Sequence, residues 1–288
     1  MNKAFIKYFL AAIIFTGGAV VFLYPAISTF VNEQSQTSVV QEYQVAAAAL
    51  DENTIKISLE EAKAYNESLL SGQGELTDPF GESTSQGPRV YSFLNVGDVM
   101  GSIEIPKIGT QSPIYEGTSE EVLQKGIGWL TGTSLPVGGP STHTVLSGHR
   151  GLPTSRLFTD LDKLEVGDEF YIRNLSEILA YKVTEIQIVE PSDSSALNIV
   201  EGEDKATLLT CHPYMVNSHR LLVTGDRVPY TGQLDEKTDL GFFENLTPVE
   251  RNFILAMAVI GASLILLIVI IVRTLKKRER DSVFNGKD

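Results

Sequence analysis

The sequence predicts a mainly β fold: a closed or nearly closed barrel with short helices, preceded by a helical stalk and flanked by two transmembrane helices. Three observations lead there. Short alternating or continuously apolar runs recur between Met100 and Tyr230, separated by Gly and Pro. Tyr8–Val31 and Ile254–Val272 contain no charged residue. Between the first of these stretches and the β-rich region lies a polar segment with helical periodicity.

Taken in order, residues 1–7 carry Lys3 and Lys7 and are expected on the cytoplasmic side. Residues 8–31 read as a transmembrane helix or uncleaved signal anchor, being long for a signal peptide and lacking a small-x-small cleavage site. Pro25 is placed to kink or end that helix near its outer face. Residues 32–70 are expected to form an extracellular helical stalk. Its first part, Asn32–Leu50, is polar and Ala-rich. Ser58-Leu59-Glu60-Glu61 then has the form of a capping box. Leu59, Ala62, Tyr65 and Leu69 recur at helical spacing as one apolar face. Residues 71–90 are rich in Gly, Ser, Thr and Pro and make a long irregular loop, with Asp78-Pro79-Phe80 as a turn in its middle.

Residues 91–232 hold the strands. Gly101–Ile105, Ala180–Thr184 and Glu185–Glu190 alternate, whereas Thr144–Leu146, Thr207–Thr210 and Arg220–Thr224 are more continuously apolar. Many short strands at such spacing point to a barrel. Ser155–Leu164 is read as a short helix across one end. Residues 233–252 are a polar linker. Residues 253–272 form a second transmembrane helix, whose uncharged core reaches roughly 28 Å as a helix. Residues 273–288 carry the basic cluster Arg273–Arg278 and are expected in the cytoplasm.

The formal net charge is −13, and basic residues concentrate at both ends, so the exported part is more acidic still. Such a surface repels phosphates and argues against a nucleic-acid partner. Neither a cofactor nor a metal is implied. Asn66, Asn174 and Asn245 head three-residue glycosylation matches of a kind that arises by chance.

The chain has one cysteine, Cys211. An unpaired thiol in an exported domain is either a reactive group or a small buried hydrophobe. Its setting favours the former. Cys211 ends a strand-like run, and Pro213 two residues on takes the backbone out of the ladder, so the thiol is expected at a sheet rim. Arg220 opens the next strand, which brings it to the same rim. It is preferred over the rival cations Arg150 and Arg227 for that reason. His149 ends its own apolar run before Arg150-Gly151. His212 follows Cys211 directly and faces the opposite side. His143 and His219 begin runs beside turns and are assigned to the surface. A thiol, an imidazole and a guanidinium suit acyl transfer: thiolate attack, oxyanion stabilisation by Arg220, and proton transfer by His149.

These residues resemble the sortase family. Thr207-Leu208-Leu209-Thr210-Cys211 is similar to its TLxTC signature, with Arg220 nine residues on. Ser147-Gly148-His149-Arg150-Gly151 is similar to the segment bearing its histidine, and Gly101–Pro106 to its opening strand. Asp78-Pro79-Phe80 and the C-terminal span resemble the class C, pilus-building branch. The resemblance implies a sortase-like barrel in a Gram-positive cell membrane, with catalytic residues His149, Cys211 and Arg220 and the catalytic domain extracellular. It also implies a lid of Asp78, Pro79 and Phe80, with Asp78 on Arg220 and Phe80 over Cys211. The implied reaction cleaves an LPxTG-like sorting signal on a pilin or surface protein, through a thioacyl enzyme, and passes the acyl group to a pilin lysine amine. Three departures stand out: Phe80 where Trp is frequent, His212 where a small hydroxylated residue is common, and Thr224 in place of a basic residue. Housekeeping anchoring to peptidoglycan, a hydrolytic cysteine protease and a membrane-tethered, non-catalytic binding module are the alternatives.

Overall fold

The computed structural model describes residues 3–232 except 73, 75, 82–92 and 153, with Leu234 and scattered residues between Arg251 and Lys276. The chain divides into two units, 1–30 with 239–288, and 31–238. In the first unit the rings of Phe30 and Phe253 stack with centroids 4.2 Å apart. Among the described residues no helix is long and apolar enough to cross a membrane. The expected linker and basic tail fall mostly outside the described residues, as does Asn245, whereas the described residues of the expected second membrane helix, 253–272, are helical.

Two helices precede the strands, and the first of them begins in the first unit. Helix α1, Lys3–Ala48, continues through Pro25 rather than ending there. Its last turns do not stand off as a stalk. Val40, Tyr43 and Ala47 are buried, and the Tyr43 hydroxyl donates to the Met100 carbonyl. The polar, Ala-rich composition hid this because only every third or fourth residue faces the barrel. Helix α2, Glu52–Leu69, starts nearly two turns before the expected capping box. Asp51 is the N-cap and accepts from the Thr54 amide at 2.9 Å, which leaves Ser58 inside the helix. The apolar face read from the sequence is real: Ala62 is buried, and Leu59 and Tyr65 pack on the core. Asn66 on the same face exchanges two hydrogen bonds with the Leu135 backbone. Asn174 is likewise buried and donates to the Pro136 carbonyl, so neither asparagine is free to carry a glycan.

Eight strands follow: β1 Val99–Ile105, β2 Thr110–Glu116, β3 Ile127–Trp129, β4 Thr142–Ser147, β5 Glu169–Arg173, β6 Ile178–Val189, β7 Asp204–His212 and β8 His219–Val228. They close into a barrel in the order β1-β2-β3-β4-β7-β8-β6-β5. β2·β3 and β4·β7 are parallel, and the other pairs are antiparallel. The two runs read across 180–190 are one strand, β6, with a register shift between Val183 and Glu185. A bulge of that kind breaks the period-two pattern into two apparent pieces. Helix α3, Glu120–Lys125, precedes β3 and is capped by Ser119. The expected helix over 155–164 is a series of turns with one 3-10 turn at Leu161–Lys163, and Leu157 has φ 36. A positive φ at a non-glycine residue cannot continue a right-handed helix.

The two faces of β4, β7 and β8 differ. Leu146, Ala206, Leu208, Leu221 and Val223 point into the barrel and join its main core. The registers Val145↔Thr207, Ser147↔Leu209, Leu209↔Leu222 and Cys211↔Arg220 put a second set on the outer face. There Val145, Leu209 and Leu222 form a separate apolar cluster with Leu130 and Leu197, covered by Leu76 and Phe80.

Candidate active site

Cys211 and Arg220 are direct cross-strand partners at the open end of this outer face. Directly opposed residues hold their Cβ atoms roughly 5 Å apart on one side of the sheet. β7 ends one residue after Cys211, at His212, where a cis His212–Pro213 bond leads out of the ladder. His149 continues the parity of Val145 and Ser147 just beyond the end of β4. Its approach depends on Gly148, because a Cβ there would lie 2.6 Å from Ile127 Cδ1 and 2.8 Å from the Phe158 ring. The Thr210 hydroxyl donates to the Gly148 carbonyl and fastens the His149 segment to β7.

Cys211, His149 and Arg220 line one cleft of about 250 Å³, together with Pro79, Phe80, Gly81, Thr118, Glu120 and Asn217. The thiol is free and only 6% of the cysteine is exposed. Burial pushes the Cys211 thiol up; the Arg220 charge opposes this and the Asp78 charge adds to it. Arg220 is 7% exposed, and each of its three nitrogens makes a hydrogen bond. Its Nε donates to Asp78 Oδ1 at 2.7 Å and its Nη2 to Asp78 Oδ2 at 2.6 Å. Nη1 donates to the carbonyls of Asn217 and His219. Burial works against the Arg220 charge, but the Asp78 hydrogen bonds outweigh it and the guanidinium is held protonated above its ordinary range. The Phe80 ring lies 5.4 Å from the Arg220 guanidinium carbon and 5.5 Å from the His149 ring centre. His149 Nε2 is 3.4 Å from Glu120 Oε2, an approach without hydrogen-bond alignment, so this buried nitrogen has no hydrogen-bond partner among the described residues.

The rival cations are engaged elsewhere. Arg150 binds the Thr159 carbonyl, Asp162 and the His212 ring. Arg227 lies against the Tyr181 ring, 3.9 Å from Asp204. His219 is partly exposed, 3.3 Å from Glu190, as a surface histidine would be. His143 is not on the surface: it is 1% exposed. Its Nδ1 meets the Asn198 carbonyl at 2.9 Å and its Nε2 the Thr207 hydroxyl at 2.7 Å, which in turn meets Thr224 at 2.8 Å. Burial lowers the His143 pKa, so the ring is held neutral, donating through Nδ1 and accepting at Nε2. The position beside Gly139-Pro140 reads as exposed, but β4 is flanked by β3 and β7 and capped by the β6–β7 loop. Glu120 is the charged cleft residue that the sequence reading missed, along with Gly81, Thr118 and Asn217, and no local spacing links it to His149.

Fold and cleft together define a cysteine transpeptidase. The family model described as the sortase domain matches residues 103–228. Sortase D of Bacillus subtilis is 32% identical over 150 residues, which are 51% of this chain and 73% of that protein. Sortase A of Bacillus anthracis is 26% identical over 231 residues, 79% of this chain and 97% of that one. Among solved structures, sortase C-1 of Streptococcus pneumoniae is 46% identical with a TM-score of 0.64, covering 67% of this chain and 99% of its own. The Group B Streptococcus Pilus Island 1 sortase C2 is 55% identical with a TM-score of 0.59, covering 62% and 100%. The chain belongs to the sortase family.

Proposed function

We propose that the chain is a pilus-type sortase, which cleaves an LPxTG-like sorting signal through a thioacyl enzyme on Cys211 and joins it to a pilin lysine amine. Cys211 is the nucleophile, Arg220 stabilises the oxyanion, and His149 protonates the leaving amine and later deprotonates the acceptor. Asp78, Pro79 and Phe80 act as a lid within the loop 71–90, over a catalytic barrel spanning 91–232. The observation that carries this reading is the paired Asp78–Arg220 hydrogen bond. With its Nε–Nη2 fork filled by a carboxylate and Nη1 on two carbonyls, Arg220 cannot present paired donors to a substrate carbonyl, so opening has to precede catalysis. Phe80, against both Arg220 and His149, closes the same space. The likeness to the Pilus Island sortase C2, at 55% identity, supports the pilus class over housekeeping anchoring.

Residues 8–31 and 253–272 anchor the enzyme in the cell membrane, with the barrel outside and both termini in the cytoplasm. This rests on their uncharged composition and on the basic residues beside them. A substrate tethered in the same bilayer meets the enzyme at raised effective concentration. The test is to incubate the full chain in membranes with candidate pilins and map the product by mass spectrometry. An isopeptide bond between a sorting-signal carbonyl and a pilin lysine is expected. Attachment only to a peptidoglycan amine would replace the pilus reading with housekeeping anchoring.

A further inference from the structure

We propose that Glu120 is the carboxylate that receives the ammonium group of the acceptor and hands it to His149. This rests on the transpeptidase reading above and adds a specificity residue on the amine side of the cleft. Two charged side chains besides the histidine line the cleft, Arg220 and Glu120. Arg220 marks the side where a carbonyl oxygen develops charge. Glu120 lies across from it, on α3, beside the imidazole. Its Oε1 accepts from Gln124 Nε2 at 2.8 Å, which leaves Oε2 facing His149 Nε2 at 3.4 Å. The neighbouring acid, Glu121, is paired with Lys125, whereas among the described residues no Lys or Arg pairs with Glu120. Its side chain is 66% exposed, so the charge stands at the mouth of the cleft and meets a cation arriving from solvent.

An amine acceptor needs such a group. An alkyl amine is protonated near neutral pH and cannot attack until a proton leaves. The leaving amine of the donor departs at His149, so the acceptor nitrogen must enter at the same place. With the ammonium held by Glu120 Oε2, one proton passes to His149 Nε2. The freed nitrogen forms the C–N bond as the C–S bond to Cys211 breaks and the thiolate leaves. The second proton departs from nitrogen to solvent, so one thioester, one ammonium and one neutral imidazole become one amide, one thiolate, one imidazolium and one proton. Water carries no charge for the carboxylate to attract, so Glu120 favours binding of a cationic acceptor over water.

The experiment uses the full chain in detergent micelles, in wild type and in an Asp78→Ala background so that the lid does not limit the rate. Acceptors are Nα-acetyl-lysine amide, a cation, and hydroxylamine, which is uncharged at neutral pH. Glu120→Gln should raise KM for the lysine amide roughly twofold to fivefold, the range of an exposed charge pair. KM for hydroxylamine and the rate of thioacyl formation should stay unchanged. Glu120→Asp should restore part of the loss, and added salt should shrink the wild-type advantage. Equal KM for the lysine amide in Glu120→Gln, or equal losses with both nucleophiles, or slowed thioacyl formation, overturns the inference; the last two would make Glu120 a support for His149 instead. A chain that forms no thioacyl adduct in either background overturns the transpeptidase site itself.

Discussion

Histidine and hydrogen-bonding side chains stand at both ends of the outer face of β4, β7 and β8, and the two ends are finished differently. At one end His143, Thr207 and Thr224 satisfy each other and the Asn198 carbonyl, all within the barrel and its β6–β7 loop. At the other end Arg220 takes its carboxylate from Asp78, outside the barrel, and His149 Nε2 has no hydrogen-bond partner among the described residues. The apolar belt of Val145, Leu209 and Leu222 separates them. A polar cluster completed from within stabilises a fold, because its partners cannot leave without unfolding it. A cluster completed by a separate segment can be opened while the barrel stays intact.

The largest expected effect lies at the open end. Cys211→Ala should abolish the thioacyl adduct seen by intact mass spectrometry; an adduct on another residue would break the assignment. Arg220→Ala comes next, with a loss of about 2–4 kcal/mol of transition-state stabilisation in kcat/KM for sorting-peptide cleavage. A loss below tenfold would return the role to a cation outside the cleft.

Asp78→Ala tests whether the open end is held by the lid. The Cys211 thiol is pushed up by burial and by the Asp78 charge, and drawn down by Arg220. Removing Asp78 deletes one upward contribution and loosens the cover, while the downward one stays. The midpoint of thiol alkylation against pH should therefore move down from a wild-type value above that of an ordinary thiol. At fixed pH, alkylation should speed up by about tenfold or more, since each charge-assisted hydrogen bond is worth more than about 1.4 kcal/mol. An unmoved midpoint and rate would remove the lid from the account.

The smallest expected effect on activity is at the closed end. His143→Ala leaves Thr207 and the Asn198 carbonyl without their partner and should cost about 1–3 kcal/mol of stability, read as a lower Tm. Thiol reactivity should stay close to wild type. A change in alkylation as large as that from Asp78→Ala would mean that the two ends are coupled and would dissolve the contrast.

Much of the site could be read from the chain because its parts are local. Cys211 and Arg220 close one hairpin, so strand ends and a short connection already imply that they meet, and period-two alternation separates His212 from them. The proposal of an exported, anchored domain likewise rests on composition and charge-free runs alone, without reference to any contact. β2, β3 and β5 escaped notice because they are short or, for β2, interrupted by Pro113. The burial of His143, the packing of α1 on the barrel and the approach of Glu120 to His149 depend on the parallel β4·β7 pairing and on barrel closure. Those join residues far apart in sequence, and no local pattern records which neighbour a side chain will find. Residue type and strand position gave the sulfur, imidazole and guanidinium; only closure decided that they share an outer face, under a cover supplied from elsewhere in the chain.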